Sequence, residues 1–142
     1  IPGIDLDHVV TSDELFLLRE MPKSLLIIGG GVISVEFASV YADLGCQVTI
    51  VEALPRIVPN MDKEISQNLK MILKKRGVEI ITGAKVQNIV LNGELLSCNF
   101  MEKEKEQSVE AEYILSAVGR CPNTEGLLLI QLRLRWSEAV WW

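Results

Sequence analysis

Ser24-Leu25-Leu26-Ile27-Ile28-Gly29-Gly30-Gly31-Val32-Ile33-Ser34 is the stretch on which the fold turns. A short continuous apolar run that ends in glycines predicts a central parallel strand, buried on both faces. After the glycines the period changes. Ile33, Phe37, Val40, Tyr41 and Leu44 recur at helical spacing, and Gly45 is placed to cap the helix C-terminus. Residues 47–52 predict a second apolar strand. Asp62 then caps an expected helix with Ile65, Leu69, Ile72 and Leu73 as its buried stripe. Lys74-Lys75-Arg76 suit the negative end of that helix and Gly77 terminates it. Residues 78–81 predict a third strand. Alternating strand and helix calls for a parallel sheet.

Upstream, residues 1–5 form an extended lead-in, and Thr11-Ser12-Asp13-Glu14 has the capping-box pattern of a short helix running to about Arg19 before Pro22 stops it. Downstream the rhythm changes again. Residues 85–91 and 94–101 flank Asn92-Gly93, the strongest short hairpin signal. The run Glu102-Lys103-Glu104-Lys105-Glu106 reads as a solvated turn, and a strand near 109–112 completes an antiparallel meander. Residues 113–118 return as an apolar strand. The expected fold is α/β and Rossmann-like: four parallel strands, helices on the faces, and an inserted three-stranded antiparallel meander.

Composition narrows the function. The chain has 142 residues, 49% apolar and 23% charged, enough for one real core and too apolar for a disordered segment. A net charge of −5 opposes a nucleic-acid surface, which needs clustered cations. No apolar run approaches the roughly 20 residues of a membrane helix. Asp5, Asp7 and Asp13 stand where a secretory leader would be basic and then apolar, so no leader is expected in these residues. Cys46, Cys98 and Cys121 form no close pair, and His8 is the single histidine; neither a Cys/His zinc site nor a His-assisted nucleophile is expected. Free thiols fit a reducing cytoplasm. No catalytic or metal-ligating residue is assigned.

The glycines carry the site. Gly29 permits a tight turn, Gly31 lets the backbone approach a pyrophosphate, and the following helix start offers free N–H groups and a positive dipole end. Glu52, at the carboxyl end of the second strand, can accept hydrogen bonds from the two hydroxyls of an adenosine ribose. The same carboxylate repels a 2′-phosphate. Arg56 stands nearby, but a single arginine beside an intact glutamate favours NAD over NADP. At the sixth motif position, where glycine normally lets helix and strand pack closely, the residue is Ser34. Its hydroxyl is expected to bond back to a carbonyl of the preceding turn and loosen the contact, with cofactor binding surviving.

The segment 22–38, including Ile28-Gly29-Gly30-Gly31-Val32-Ile33-Ser34-Val35-Glu36-Phe37-Ala38, resembles the NAD-binding segment of the pyridine-nucleotide flavoprotein disulfide reductases. Within that family the dihydrolipoamide dehydrogenases are most similar. Val51-Glu52, Pro55-Arg56-Ile57-Val58-Pro59, residues 73–77 and Ala117-Val118-Gly119-Arg120-Cys121-Pro122-Asn123-Thr124 agree in order and spacing, so the resemblance spans about residues 1–127. It implies that Gly29, Gly30, Gly31, Val32, Ile33, Ser34 and Val35 wrap the NAD pyrophosphate. Glu36 would approach the nicotinamide end, Val86 would contact adenine through its backbone, and Gly119 would bring the chain close to the cofactor. Arg120 and Asn123 match a crossover back toward a flavin domain.

By the same resemblance, residues 1–23 are a lead-in from an FAD domain, 24–119 the NAD-binding domain, and 120–142 a crossover with an atypical apolar tail. The family's FAD domain, CxxxxC disulfide and His-Glu pair are not in this sequence, so turnover by these residues alone is not expected. The resemblance also implies a homodimeric parent that joins a 2-oxo acid dehydrogenase complex. In the tail, Ile130, Leu132, Leu134 and Trp136 alternate with polar residues as on a half-buried strand, and all three tryptophans fall within 136–142. Left exposed, that stripe would be sticky, so it is expected to be buried against the domain or, by self-association, against a second copy. Rival readings are the matching domain of an NADH oxidase or coenzyme A disulfide reductase, and a non-catalytic assembly scaffold.

Overall fold

The computed structural model describes residues 1–119 and two further short strands in the tail. In chain order the elements are β1 (Val9–Val10), α1 (Ser12–Leu15), β2 (Ser24–Ile28), α2 (Val32–Asp43), β3 (Gln47–Glu52), α3 (Lys63–Lys75) and β4 (Glu79–Thr82). They continue with β5 (Ala84–Asn92), β6 (Leu95–Glu102), β7 (Lys105–Ala111), β8 (Tyr113–Ser116), β9 (Trp136–Ser137) and β10 (Val140–Trp141). The main sheet runs β1-β8-β2-β3-β4 with every pairing parallel, and β5-β6-β7 form a separate antiparallel meander. This is the α/β architecture expected, with β1 as a fifth parallel strand.

Alternation along each strand sorts the core into two layers. Leu25 and Ile27 of β2, Val48 and Ile50 of β3 and Leu115 of β8 pack with Val35 and Ala38 of α2 and Leu73 of α3. Leu26, Ile28, Val51 and Ile114 face the other way, onto Ala84, Ile89, Leu96, Cys98, Phe100 and Ala111 around the meander. Both long helices therefore cover one face of the sheet and the meander covers the other. Ile27 is fully buried, and truncating it to alanine would cost about 2–5 kcal/mol. β2 is the strand both layers depend on.

Several local expectations are corrected. α1 ends at Leu15, not near Arg19; Leu15 is its one buried side chain, while Phe16 and Leu17 lie exposed, so no apolar stripe sustains a longer helix. Its Thr11–Glu14 capping box is present. In α2 the buried residues are Ser34, Val35 and Ala38, while Val40 and Leu44 of the expected stripe are exposed. The small side chains let the helix sit close on the sheet. β7 begins at Lys105, earlier than expected, because Lys103 and Glu104 take positive φ (49° and 63°) and make a tight turn without glycine. The expected strand pattern over 130–135 and the crossover residues Arg120, Cys121 and Asn123 lie outside the described residues.

Candidate functional site

In the main sheet, β2-α2-β3-α3-β4 proceeds one way from β2, while β8 and β1 lie on its other side. The order reverses beside the carboxyl end of β2, which is where open parallel sheets form ligand crevices. A crevice of about 560 Å³ opens there, lined by Gly29, Gly30, Gly31, Glu52, Val86 and Gly119 among others. Six of the residues singled out in the sequence thus share one cavity of ordinary ligand size. A depression of about 590 Å³ beneath the lead-in (residues 4–18) contains none of them.

Each glycine of the loop answers a different demand. Gly29 has φ +102°, and a Cβ on it would stand 2.6 Å from the Ala117 carbonyl oxygen, so both backbone and packing exclude a side chain. A Cβ on Gly30 would meet the Glu52 side chain at 3.0 Å. Gly31 differs. Its φ of −74° is open to any residue, and its Cβ would meet nothing within 4 Å. Nothing inside the described protein explains that glycine.

Gly31 is also the N-cap of α2 and supplies no side-chain cap. The first turn of any helix leaves its amides without intrahelical partners. Here the N–H groups of Gly31, Val32, Ile33 and Ser34 donate to no group among the described residues. Four main-chain donors at a positive dipole end suit an anion.

Glu52 is buried, 8% exposed, and its carboxylate serves the loop itself. Oε2 accepts from the Gly30 N–H, and Oε1 accepts from the Leu54 N–H at 2.6 Å. Each carboxylate oxygen retains acceptor capacity for a second donor. Arg56 does not line the crevice; its Nη2 donates to the Pro59 carbonyl at 2.8 Å within the β3–α3 loop.

The remaining sequence candidates separate. Val32 and Ile33 line a neighbouring depression with Thr11, Asp13 and Ser116, and it shares Gly31, Ala117 and Gly119 with the crevice. Ser34 and Val35 are buried against the sheet. The back-bond expected from Ser34 is absent: its Oγ has no partner among the described residues. Glu36 faces an apolar groove between α1 and α2, away from the crevice.

Residues that sequence reading passed over also line the crevice. Lys85 enters it from the start of β5, beside Val86, and Leu54, Pro59 and Asn60 come from the β3–α3 loop. Only the neighbourhood of Val86 signalled Lys85; Pro59 closes the 55–59 stretch of the family resemblance without having been read as a site residue, and Leu54 and Asn60 carried no motif. Burial pushes the Cys46 and Cys98 thiols up to about 11, with the negative Glu112 adding to the effect at Cys46, so both stay protonated and inert near neutrality. No group of metal-ligating side chains occurs among the described residues, and no helix among them is long and apolar enough to cross a membrane.

The family model described as pyridine nucleotide-disulphide oxidoreductase matches residues 1–140. The chain is 42% identical over 127 residues to the dihydrolipoyl dehydrogenase of Mycobacterium tuberculosis H37Rv, covering 89% of this chain and 27% of that protein. Against the dihydrolipoyl dehydrogenase of Bacillus subtilis it is 39% identical over 131 residues, again 89% of this chain and 28% of the relative. The solved HOCl-induced flavoprotein disulfide reductase RclA of Escherichia coli superposes with a TM-score of 0.84 at 35% identity, over 98% of this chain and 31% of that one. The chain spans about a quarter of the curated relatives it matches. With a family match over nearly its whole length and the expected fold, this chain belongs to the pyridine nucleotide-disulphide oxidoreductases.

Proposed function

We propose that residues 24–119 bind NAD(H), as the dinucleotide domain of a flavoprotein disulfide oxidoreductase of the dihydrolipoamide dehydrogenase type. Gly31 carries this reading: a glycine demanded by neither backbone nor packing, at the head of a helix whose first four amides have no partner among the described residues, makes sense where a pyrophosphate must come close. Glu52 accepts the adenosine ribose hydroxyls with the lone pairs its loop bonds leave free, and its charge disfavours a 2′-phosphate. Arg56 is engaged with Pro59, which further supports NAD over NADP. Val86 and Gly119 border the adenine and the pyrophosphate, and Glu36 serves the nicotinamide end beyond the crevice.

The chain's own contribution is to bind and orient the dinucleotide. In the whole oxidoreductase, FAD and a redox-active dithiol carry electrons between dihydrolipoamide and NAD. Residues 1–23 then lead in from the flavin domain and 120–142 cross back toward it. A cytoplasmic homodimer within a 2-oxo acid dehydrogenase complex is the setting this reading implies. Self-association through the tail is checked by light scattering of the chain with and without residues 128–142; a monomer in both forms refutes it.

Isothermal calorimetry with NADH, NADPH and FAD tests the function. Tight NADH, much weaker NADPH and no FAD binding are expected. NADPH binding as tight as NADH overturns the role of Glu52, and no nucleotide binding at all leaves an assembly scaffold as the better reading.

A further inference from the structure

The β3–α3 loop grips the glycine loop at one point. Gly30 is held at both ends: its N–H donates to Glu52, and its carbonyl accepts from the Val58 N–H at 2.6 Å. Val58 has φ +40°, a left-handed conformation that β-branched residues rarely take. Such outliers persist only where the surroundings over-determine them, and they gather at functional sites.

The surroundings here do over-determine it. Ile57 and Val58 are both buried in the helix-side core. Ser66, itself 1% exposed, donates from Oγ to the Ile57 carbonyl at 2.8 Å. The Met61 N–H donates to the Val58 carbonyl at 2.9 Å, and Arg56 donates to Pro59. The loop is therefore tied to α3, to itself and to the core, and it presents one amide to Gly30.

That amide sets an orientation. In a planar trans peptide the carbonyl and the next N–H point in opposite directions. Fixing the Gly30 carbonyl onto Val58 thus aims the Gly31 N–H away from the loop, where it has no partner among the described residues. We propose that Val58 is a positioning residue of the dinucleotide site: held left-handed, its main-chain N–H locks the Gly30–Gly31 peptide so that the Gly31 N–H stands free for a phosphoryl oxygen. This rests on the dinucleotide reading given above. It assigns the task to the main chain of a residue that does not touch the ligand.

Amide NMR on the isotope-labelled chain tests it without a mutation. The Val58 amide should be protected from exchange in the free protein. The Gly31 amide should shift on adding ADP-ribose but not on adding adenosine, which has no phosphate. Two variants add affinity. Replacing Val58 by its α-hydroxy analogue removes the N–H and should weaken NADH and ADP-ribose about tenfold, while adenosine changes by less than about twofold. Val58→Gly keeps the N–H and suits the positive φ, so NADH affinity should stay within about threefold of the parent.

A Gly31 amide that ignores ADP-ribose while other crevice amides move overturns the proposal and leaves the dinucleotide reading standing. Equal loss of adenosine and NADH in the ester, or a tenfold loss in Val58→Gly, does the same. If no nucleotide moves any crevice amide, the dinucleotide reading fails and the proposal falls with it.

Discussion

Replacing Gly31 by alanine separates what the ligand needs from what the fold needs. The new Cβ meets no atom within 4 Å and the backbone is already in an ordinary extended conformation, so the folded state gains no clash. Alanine also restricts the unfolded chain, worth about 0.4–1 kcal/mol in favour of folding, against a similar loss from a poorer helix N-cap. The net change in stability should be within about 1 kcal/mol, or about 4 °C in Tm. Binding should respond differently. A methyl group where the main chain must approach the pyrophosphate lengthens one or two hydrogen bonds to a charged group, each worth about 1.5–3 kcal/mol, so NADH affinity should fall about 10- to 150-fold. Gly29→Ala is the control with the opposite pattern. Its Cβ would lie 2.6 Å from the Ala117 oxygen at φ +102°, costing about 2 kcal/mol or more of stability. Calorimetry for affinity and thermal melts for stability read both variants. A Gly31→Ala protein that binds NADH like the parent, or that melts as low as Gly29→Ala, refutes the assignment.

Glu52→Gln should lose about tenfold in NADH affinity and narrow the preference over NADPH, as measured by calorimetry, because a neutral amide no longer repels a 2′-phosphate. It should also melt lower, since one amide oxygen cannot serve both the Gly30 and Leu54 N–H groups. Ser34→Ala removes a buried hydroxyl that has no partner among the described residues and should raise stability by about 1 kcal/mol in urea unfolding; an unchanged or lower midpoint shows that the hydroxyl is satisfied after all. The buried thiols predict an alkaline limit. Because Cys46 and Cys98 hold their protons more tightly folded (about 11) than the ordinary 9.0, their contribution is complete below pH 9 and is lost as pH rises toward 11. Unfolding free energy should fall by about 2 kcal/mol per thiol over that window, and Cys98→Ala should flatten the curve.

What the sequence discloses follows from how local each signal is. Ile28 to Ser34 predicts strand, turn and helix from contiguous residues, and Asn92-Gly93 predicts its hairpin for the same reason. β1 is invisible at that range: Val9 and Val10 become strand only by pairing with Ile114 and Leu115, which lie far along the chain. Lys105 to Gln107 look like loop because their charged and polar side chains are exposed on one edge of the meander. The α2 stripe misleads because helical periodicity cannot say that small residues, Ser34 and Ala38, are the ones facing the sheet. At the site, Glu52 is legible as an acid at a strand end, yet its bonds to Gly30 and Leu54 depend on the loop's three-dimensional path. Val58 lies in the 55–59 stretch of the family resemblance, yet its role is not legible there, since its contribution is a main-chain amide and an unusual φ.

On the proposed reading Glu52 is both strut and reader: one carboxylate braces the glycine turn and lines the cavity that would take the sugar. A lineage drifting toward phosphorylated cofactors could not simply swap this acid for a neutral or basic residue, because the turn would slacken at the same step. A new brace for the Gly30 and Leu54 amides would have to arise first, which makes cofactor choice in this scaffold hard to reverse by single mutations.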